Sequence, residues 1–157
     1  MPEPGREAVT IREAREADLP VLVRLLAQLS LDEPREQPGP PLPEAYEQAF
    51  GKIEADPGLR LLVACREERI VGSATVAVIP NLSFRGRSFT LVDSVVVDES
   101  ERRSGVGRLL MEEARRIARA SGSYKLSLTS NAQRDWAHRF YERLGFRETH
   151  KGYTVEP

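Results

Sequence analysis

The sequence predicts an α/β protein, a mixed α+β fold in which helices cover both faces of a mixed sheet of six to seven strands. Segments rich in β-branched residues alternate with segments whose apolar residues recur at helical spacing. Strands that follow one another directly predict antiparallel pairing, and one strand–helix–strand unit near the end predicts a parallel pair with a right-handed crossover. The 157 residues, 40% of them hydrophobic, suffice for one ordinary domain, so we predict a single domain over residues 1–157.

The first third of the chain is predicted to hold one strand and two helices. Val9–Arg12 has the composition of a short strand, and Asp18 is a favourable N-cap for the first helix. The apolar residues of that helix are Leu19, Leu22, Val23, Leu25, Leu26 and Leu29. Asp32–Pro43 contains five prolines and a glycine, so it is predicted to be a long extended loop, and Glu44–Ala55 is predicted to be the second helix.

Five further strands are predicted downstream. Leu59–Arg66 and Ile70–Ile79 flank a charged turn and predict a hairpin. The valine-rich strand that ends in Leu91–Val97 follows, since branching at Cβ favours the pleated conformation. Tyr124–Thr129 and Phe146–Val155 supply the last two strands. This order places an antiparallel front half before a single β-α-β crossover.

Two helices separate these last three strands. The first opens at Gly105 and Gly107 and carries apolar residues at helical spacing: Val106, Leu109, Leu110, Ala114, Ile117 and Ala118. The second covers Arg134–Leu144, and Gly145 is predicted to be its C′ residue.

The junction between Leu91–Val97 and the next helix predicts an anion site. The first backbone N–H groups of a helix have no intrahelical acceptor, and they point along the positive end of the helix dipole. Glycines allow a bulky anion to approach this backbone closely. Arg102, Arg103 and Arg108 add positive charge, although each is also compatible with a solvated surface position. The junction therefore predicts a site for phosphate or pyrophosphate.

Composition narrows the classes of function. A net charge of −1 provides no general attraction to nucleic acid or to an anionic membrane, and no segment reaches transmembrane length. We expect a cytoplasmic protein, because the N-terminus has no apolar leader. Cys65 is the single cysteine, so no intrachain disulfide forms, and a buried free cysteine usually behaves as a small hydrophobe. His138 and His150 are the two histidines, and no metal cluster is predicted.

Two motifs resemble those of the GNAT superfamily of N-acetyltransferases. Arg102-x-x-Gly105-x-Gly107 is similar to the family's Gln/Arg-x-x-Gly-x-Gly/Ala motif in the acetyl-CoA-binding core. Ala137-His-Arg-Phe-Tyr-Glu-Arg-Leu-Gly-Phe146 is similar to the family's Ala-x-x-Phe-Tyr-x-x-x-Gly-Phe segment. The motifs occur in the family order, with a helix and a strand between them. The resemblance implies a GNAT-like single domain with acetyl-CoA as cofactor.

The resemblance also implies which residues hold the cofactor. The backbone N–H groups of the loop would hold the CoA pyrophosphate, with these residues involved: Arg102, Arg103, Ser104, Gly105, Val106, Gly107 and Arg108. The main chain of Val95, Val96 and Val97 would pair with the pantetheine amides as an added strand does, while their side chains need only be core. Arg134 stands where many relatives carry asparagine, and Asn131 lies nearby, so both are candidate contacts of the pantetheine or phosphate arm.

Two residues are candidates for catalysis. Tyr141 matches the tyrosine that protonates the departing thiolate in many relatives, and its alternative role is aromatic packing on the sheet. Asp93 lies two and four residues before Val95 and Val97, so all three are predicted to share one face of the strand, and many relatives have an acidic residue near this place. Half-burial there would make its carboxylate hold a proton more tightly, as a general base requires. The alternative is that Asp93 only anchors neighbouring backbone.

These observations predict an acetyl-CoA-dependent N-acetyltransferase that transfers an acetyl group to the primary amine of a small molecule by direct attack. Two alternatives remain open: a catalytically inactive acyl-CoA-binding or sensory module, and a protein or peptide N-acetyltransferase. We expect Asp32–Pro43 and Asn81–Arg87 to wall the acceptor pocket. No nucleic-acid or membrane partner is expected, and a homodimer is compatible with the fold.

Overall fold

A computed structural model describes residues 8–157, which contain a five-stranded sheet in the order β1-β2-β3-β4-β5. The strands are β1 Val9–Glu13, β2 Leu59–Arg66, β3 Arg69–Ile79, β4 Phe89–Val97 and β5 Leu126–Leu128. The helices are α1 Leu19–Ala27, α2 Glu44–Ala55, the short turn α3 Ser83–Gly86, α4 Val106–Ala120 and α5 Asp135–Arg143. The predicted order of helices and strands is therefore observed as far as α5.

The sheet is mixed, as predicted. Strands β1 to β4 pair antiparallel with their neighbours. Tyr124 N–H donates to the Ser88 carbonyl oxygen (2.9 Å), and Thr90 N–H donates to the Lys125 carbonyl oxygen (3.0 Å). From the first hydrogen-bonded pair to the second, the residue number rises on both segments, so β5 runs parallel to β4. Helix α4 forms the connection between these two strands.

The sheet has five strands, so the prediction of six to seven strands is wrong. The segment expected to be the last strand, Phe146–Val155, contains no regular secondary structure. Residues 147–151 are consecutively polar or charged and provide no apolar face to bury, whereas strands depend on half-buried side-chain pairs. Tyr153 and Val155 are accordingly exposed.

Helices pack on both faces of the sheet, which confirms this part of the prediction. On one face, side chains of α1 and α2 form a buried cluster with strand residues that include Val63, Cys65 and Val96. On the other face, α4 approaches β3 so closely that a Cβ atom at Gly72 would lie 2.9 Å from Val106 Cγ1. Glycine at this position therefore permits the packing of α4. Cys65 is a buried member of the core.

The chain divides into two compact units, the first ending at Ser127 and the second comprising Leu128–Pro157. The second unit contains α5, which is followed by Gly145 with φ +88°. Gly145 N–H donates to the Glu142 carbonyl oxygen (2.9 Å) and Phe146 N–H to that of Tyr141 (3.1 Å), the hydrogen bonds of a Schellman motif. Gly145 is thus the C′ residue, as predicted. The single domain over residues 1–157 stays a prediction.

Candidate active site

Strand β4 is interrupted by a bulge at Ser94 and Val95. Asp93 lies opposite Thr75, but Val96 lies opposite Ser73, so two residues of β4 face one residue of β3. Ser94 has φ +51°, in the left-handed region that side chains rarely adopt. Such bulges bend a strand and re-aim its side chains, and they occur often beside active sites.

The bulge changes which residues share a face of the sheet. Asp93 and Val96 lie opposite Thr75 and Ser73, which occupy one face of β3. Val97 lies opposite Gly72, on the face covered by α4. The prediction that Asp93, Val95 and Val97 share one face is therefore wrong, because the extra residue in β4 reverses the alternation.

The bulge also fixes the surroundings of Asp93. The hydroxyl of Ser94 donates to Asp93 Oδ2 over 2.9 Å and so orients the carboxylate. Asp93 is exposed and not half-buried. The desolvation expected from the sequence is therefore absent, and a base at this position would depend on its place beside the acceptor amine. No sequence pattern predicts this contact of Ser94.

The loop after β4 starts with a local turn at Asp98. The carboxylate of Asp98 accepts hydrogen bonds from the hydroxyl and the N–H of Ser100, and these lower the pKa of Asp98. The backbone N–H of Glu99 donates to Oε1 of Gln28 (3.1 Å), the C-cap residue of α1. These contacts hold the start of the loop at the C-terminal end of α1.

Glu101 anchors the end of this turn to the β2–β3 hairpin. Its carboxylate is buried and accepts from Arg66 (3.0 Å) and Arg69 (2.6 Å). The hydrogen bond from Arg66 and the charges of both arginines lower the pKa of Glu101, against the opposite effect of burial. This role of Glu101 is not visible in the sequence, because its partners are 35 and 32 positions away and leave no local pattern.

The entry to α4 is open in the way that an anion site requires. Arg103 and Gly105 adopt positive φ angles of 62° and 89°, and a Cβ atom at Gly105 would meet nothing within 4 Å. The first backbone hydrogen bond of α4 runs from Leu109 N–H to the Gly105 carbonyl oxygen (3.1 Å). No side chain of the described residues caps this end. Ser104 N–H donates to the Glu101 carbonyl oxygen (3.2 Å), so the N–H groups of residues 105–108 form the cradle, which fits a diphosphate.

Two of the loop side chains are already hydrogen-bonded to other groups of the protein. The Ser104 hydroxyl donates to the Glu101 carbonyl oxygen, which closes the loop ahead of the helix. Arg108 Nε donates to Glu112 over 2.8 Å, so its charge is shared with a neighbour one turn along α4. Arg102 and Arg103 are exposed. We therefore expect anion affinity to depend mainly on the backbone conformation.

Replacing Gly105 with alanine tests this dependence. The φ angle of +89° is costly for a residue with a Cβ atom, by about 1–2 kcal/mol, although the space is free. We expect the affinity for CoA to fall about tenfold in a calorimetric titration. Gly122→Ala is the matched control, since Gly122 has φ +65° and also faces open space, but it follows the other end of α4. An equal loss of affinity in both variants would contradict the prediction.

Three predicted site residues lie in the second unit. Asn131 caps a turn with its side chain, whose Oδ1 accepts from Gln133 N–H (2.9 Å), and its carbonyl oxygen accepts from Arg134 N–H (3.0 Å). Arg134 is the N-cap of α5. Tyr141 is half-buried in the last turn of α5, with its ring at centroid distances of 5.1 Å from Phe140 and 5.9 Å from Phe146. Their roles toward the cofactor stay predictions.

The first unit contains a cavity of about 150 Å³ between α1, α2 and the sheet. Its lining residues are Leu19, Leu22, Val23, Leu26, Tyr46, Ala49, Phe50, Ile53, Leu61, Thr75 and Ser94. Within the described part of the chain, the loops 32–43 and 81–87, expected to wall the acceptor pocket, contribute no residue to this lining. The proline-rich loop contacts the lining residue Tyr46, whose hydroxyl donates to Glu36 Oε2 (2.7 Å) and accepts from Gln37 N–H (2.9 Å).

No helix within residues 8–157 is long and apolar enough to cross a membrane. No group of three or more histidine, cysteine, aspartate and glutamate side chains in the same range is placed to hold a metal ion.

The mixed sheet, the bulged strand and the open helix entry fit an enzyme that binds an anionic cofactor, and comparison with known proteins identifies the family. Residues 24–146 match the model of the acetyltransferase (GNAT) family, so the chain belongs to this family. It is an acetyl-CoA-dependent N-acetyltransferase.

Individual relatives support this assignment. The glucosamine 6-phosphate N-acetyltransferase of Trypanosoma brucei brucei is 32% identical over 139 residues, 87% of this chain and 88% of that protein. The aminoalkylphosphonate N-acetyltransferase of Salmonella typhimurium is 27% identical over 111 residues, 71% of each protein. A crystal structure from Bacillus halodurans C-125, described as a transcriptional regulator, is 38% identical with a TM-score of 0.91, covering 95% of this chain and 99% of that one.

Proposed function

We propose that the protein transfers the acetyl group of acetyl-CoA to the primary amine of a small molecule by direct attack of the amine. The observation that carries this proposal is the bulge of β4, where the Ser94 hydroxyl orients the exposed carboxylate of Asp93 beside a cavity. The same strand leads through a short loop into the anion cradle at Gly105. A carboxylate and an anion cradle on one strand–loop–helix unit suit a reaction between an amine and a CoA thioester.

Different groups of residues are proposed to bind different parts of acetyl-CoA. The backbone N–H groups around Gly105 would hold the diphosphate of acetyl-CoA, and the main chain of Val95, Val96 and Val97 would pair with the pantetheine amides. Asn131 and Arg134 are the proposed contacts in the second unit. When bound, acetyl-CoA supplies the acetyl group as a thioester, whose carbonyl carbon is open to attack by a neutral amine.

Two residues are proposed to move protons. An amine is charged at neutral pH, so Asp93 would accept a proton from it, directly or through water, before the attack. Tyr141 would donate a proton to the departing thiolate sulfur. Positioning both reactants within one site would supply most of the remaining rate enhancement, because it replaces an encounter in solution.

Relatives favour a small acceptor over a protein. Two of them are named for small acceptors, glucosamine 6-phosphate and aminoalkylphosphonates. A second candidate function is an acyl-CoA-binding module without catalysis. It is suggested by the matching structure that is described as a transcriptional regulator. A cytoplasmic location, a homodimer and a single domain stay predictions.

A screen of amines with acetyl-CoA tests the proposal. Free thiol release is measured for primary amines of different chemistry and for lysine-containing peptides, with calorimetry of acetyl-CoA binding beside it. We expect thiol release with small amines and little with peptides. Binding of acetyl-CoA without thiol release from any amine would favour the sensory module instead.

Replacing Asp93 with asparagine tests the proposed base. The amide keeps the shape and can still accept from Ser94, but it cannot take up the amine proton. We expect kcat to fall about 100-fold, the lower part of the range for general-base catalysis, with little change in the affinity for acetyl-CoA. Asp56→Asn is a matched control, since Asp56 is exposed and its Oδ1 only accepts from Gly58 N–H (2.8 Å). An unchanged kcat would leave Asp93 as a backbone anchor.

A further inference from the structure

The cavity between α1, α2 and the sheet is lined almost entirely by apolar side chains. The apolar members are Leu19, Leu22, Val23, Leu26, Ala49, Phe50, Ile53 and Leu61. Three hydroxyl-bearing residues complete the lining: Tyr46, Thr75 and Ser94. No charged side chain is among these lining residues of the described chain. An ionised group placed here would lose its hydration without gaining a cation.

The polar members lie at one end of the cavity or are already occupied. The Tyr46 hydroxyl is hydrogen-bonded on both sides, to Glu36 and to the Gln37 backbone, so it has little capacity left for a ligand. Ser94 holds the carboxylate of Asp93, and Thr75 lies directly opposite Asp93 in the sheet. The cavity therefore has an apolar body and one polar end, which is the end next to the proposed base.

The cavity also has an entrance. Ala49 is exposed on α2 although it lines the cavity, while Leu22 and Val23 are almost fully buried. The space thus extends from the surface of α2 into the core. Its volume is about 150 Å³. Cavities of about this volume that are lined by leucine, isoleucine and phenylalanine can bind a molecule of the size of benzene.

We infer that the cavity is the acceptor pocket and that the acceptor is a primary amine with a compact apolar body, about as large as a phenyl ring or a short branched alkyl chain. This inference rests on the proposed function and names its class of substrate. The apolar body would lie against Leu22, Phe50 and Ile53, and the amine would lie at the Ser94 end, within reach of Asp93. The relatives named for phosphate- or phosphonate-bearing amines would differ from this chain in their acceptor.

The test compares two classes of amine in the thiol-release assay. The apolar class is represented by 2-phenylethylamine and 3-methylbutylamine, and the anionic class by glucosamine 6-phosphate and 2-aminoethylphosphonate. We expect kcat/KM to be at least about tenfold higher for the apolar class, since burial of an apolar side chain of this size is worth that factor or more. Higher kcat/KM for the anionic class would overturn the inference and leave the proposed function standing.

A binding experiment tests the pocket independently of acetyl transfer. Calorimetry measures 2-phenylethylamine binding, with and without CoA, to the wild type and to Ala49→Phe, which fills the entrance. We expect a loss of affinity of at least about tenfold in Ala49→Phe. Ala45→Phe is the matched control, because Ala45 is exposed on the same helix but does not line the cavity, and it should bind as the wild type does.

The combined outcomes distinguish failure of the inference from failure of the proposed function. Amine binding that Ala49→Phe abolishes, without turnover of any amine, would support the pocket and overturn the acetyl transfer. Absent binding, with turnover of the anionic amines alone, would overturn the pocket only. Equal binding to both phenylalanine variants and the wild type would show that the amine lies elsewhere and would also overturn the inference.

Discussion

Glu101→Gln is expected to lower the free energy of unfolding by about 2–3 kcal/mol. The wild-type carboxylate is buried, with 8% of its side chain exposed, and it accepts charged hydrogen bonds from Arg66 and Arg69. Glutamine has the same shape but no charge, so Arg66, which is itself mostly buried, loses its charge pairing with Glu101. Removing one partner of a buried ion pair costs several kcal/mol, and the exposure of Arg69 reduces that figure here. Chemical denaturation at neutral pH measures the change.

The same substitution should remove part of the pH dependence of stability. The pKa of Glu101 is lowered in the folded protein, so its contribution is complete above the ordinary pKa of glutamate, about 4.3. This contribution is lost as the pH falls below that value through the lowered pKa, because the folded carboxyl then takes up a proton. The free energies of the wild type and Glu101→Gln should therefore converge in acid.

Glu112→Gln is the matched control for this prediction. Glu112 also pairs with an arginine, Arg108, at 2.8 Å, but both side chains are exposed on α4. Such pairs contribute about 0.5 kcal/mol or less. Similar losses of stability in the two variants, or a difference between wild type and Glu101→Gln that stays constant from neutral to acid pH, would contradict the role of Glu101 as the anchor of the loop.

Much of the fold was predictable because its signals are local. The bounds of α2 follow from the prolines before it and the Asp-Pro-Gly sequence after it, and the structure confirms Glu44–Ala55. The hairpin of β2 and β3 follows from two apolar runs around a charged turn. The strand prediction for Phe146–Val155 has no such local support, because only the ends of this segment are apolar. A strand also needs a pairing partner, which a single sequence does not display.

In the candidate site, too, features with a local cause were predictable and features that depend on non-local packing were not. The cradle at Gly105 was predictable, because a glycine at a helix entry has a local cause, the positive φ angle. The bulge at Ser94 was not, since the register that produces it is set by the pairing with β3. The apolar cavity was also missed, because α1, α2 and three strands meet there from distant parts of the chain. Non-local packing therefore decides the acceptor end of the site.

Tyr141→Phe is expected to lower kcat about 100-fold while the affinity for acetyl-CoA changes less than about twofold. The proposed role of the phenol is to protonate the departing thiolate, and general-acid catalysis contributes about 100-fold or more. The substitution removes one oxygen atom and keeps the ring, with its edge contacts to Phe140 and Phe146. The packing role and the catalytic role therefore give opposite expectations for this single variant.

Steady-state kinetics with the best amine of the screen, beside calorimetry with acetyl-CoA, decide between these two roles. Tyr153→Phe is the matched control, because Tyr153 belongs to the same unit and is 91% exposed. A wild-type kcat in Tyr141→Phe would assign Tyr141 to packing, and another group would then have to protonate the thiolate. A parallel loss of acetyl-CoA affinity would instead make Tyr141 a binding residue, since a proton donor for the leaving group acts on kcat and not on the ground-state complex.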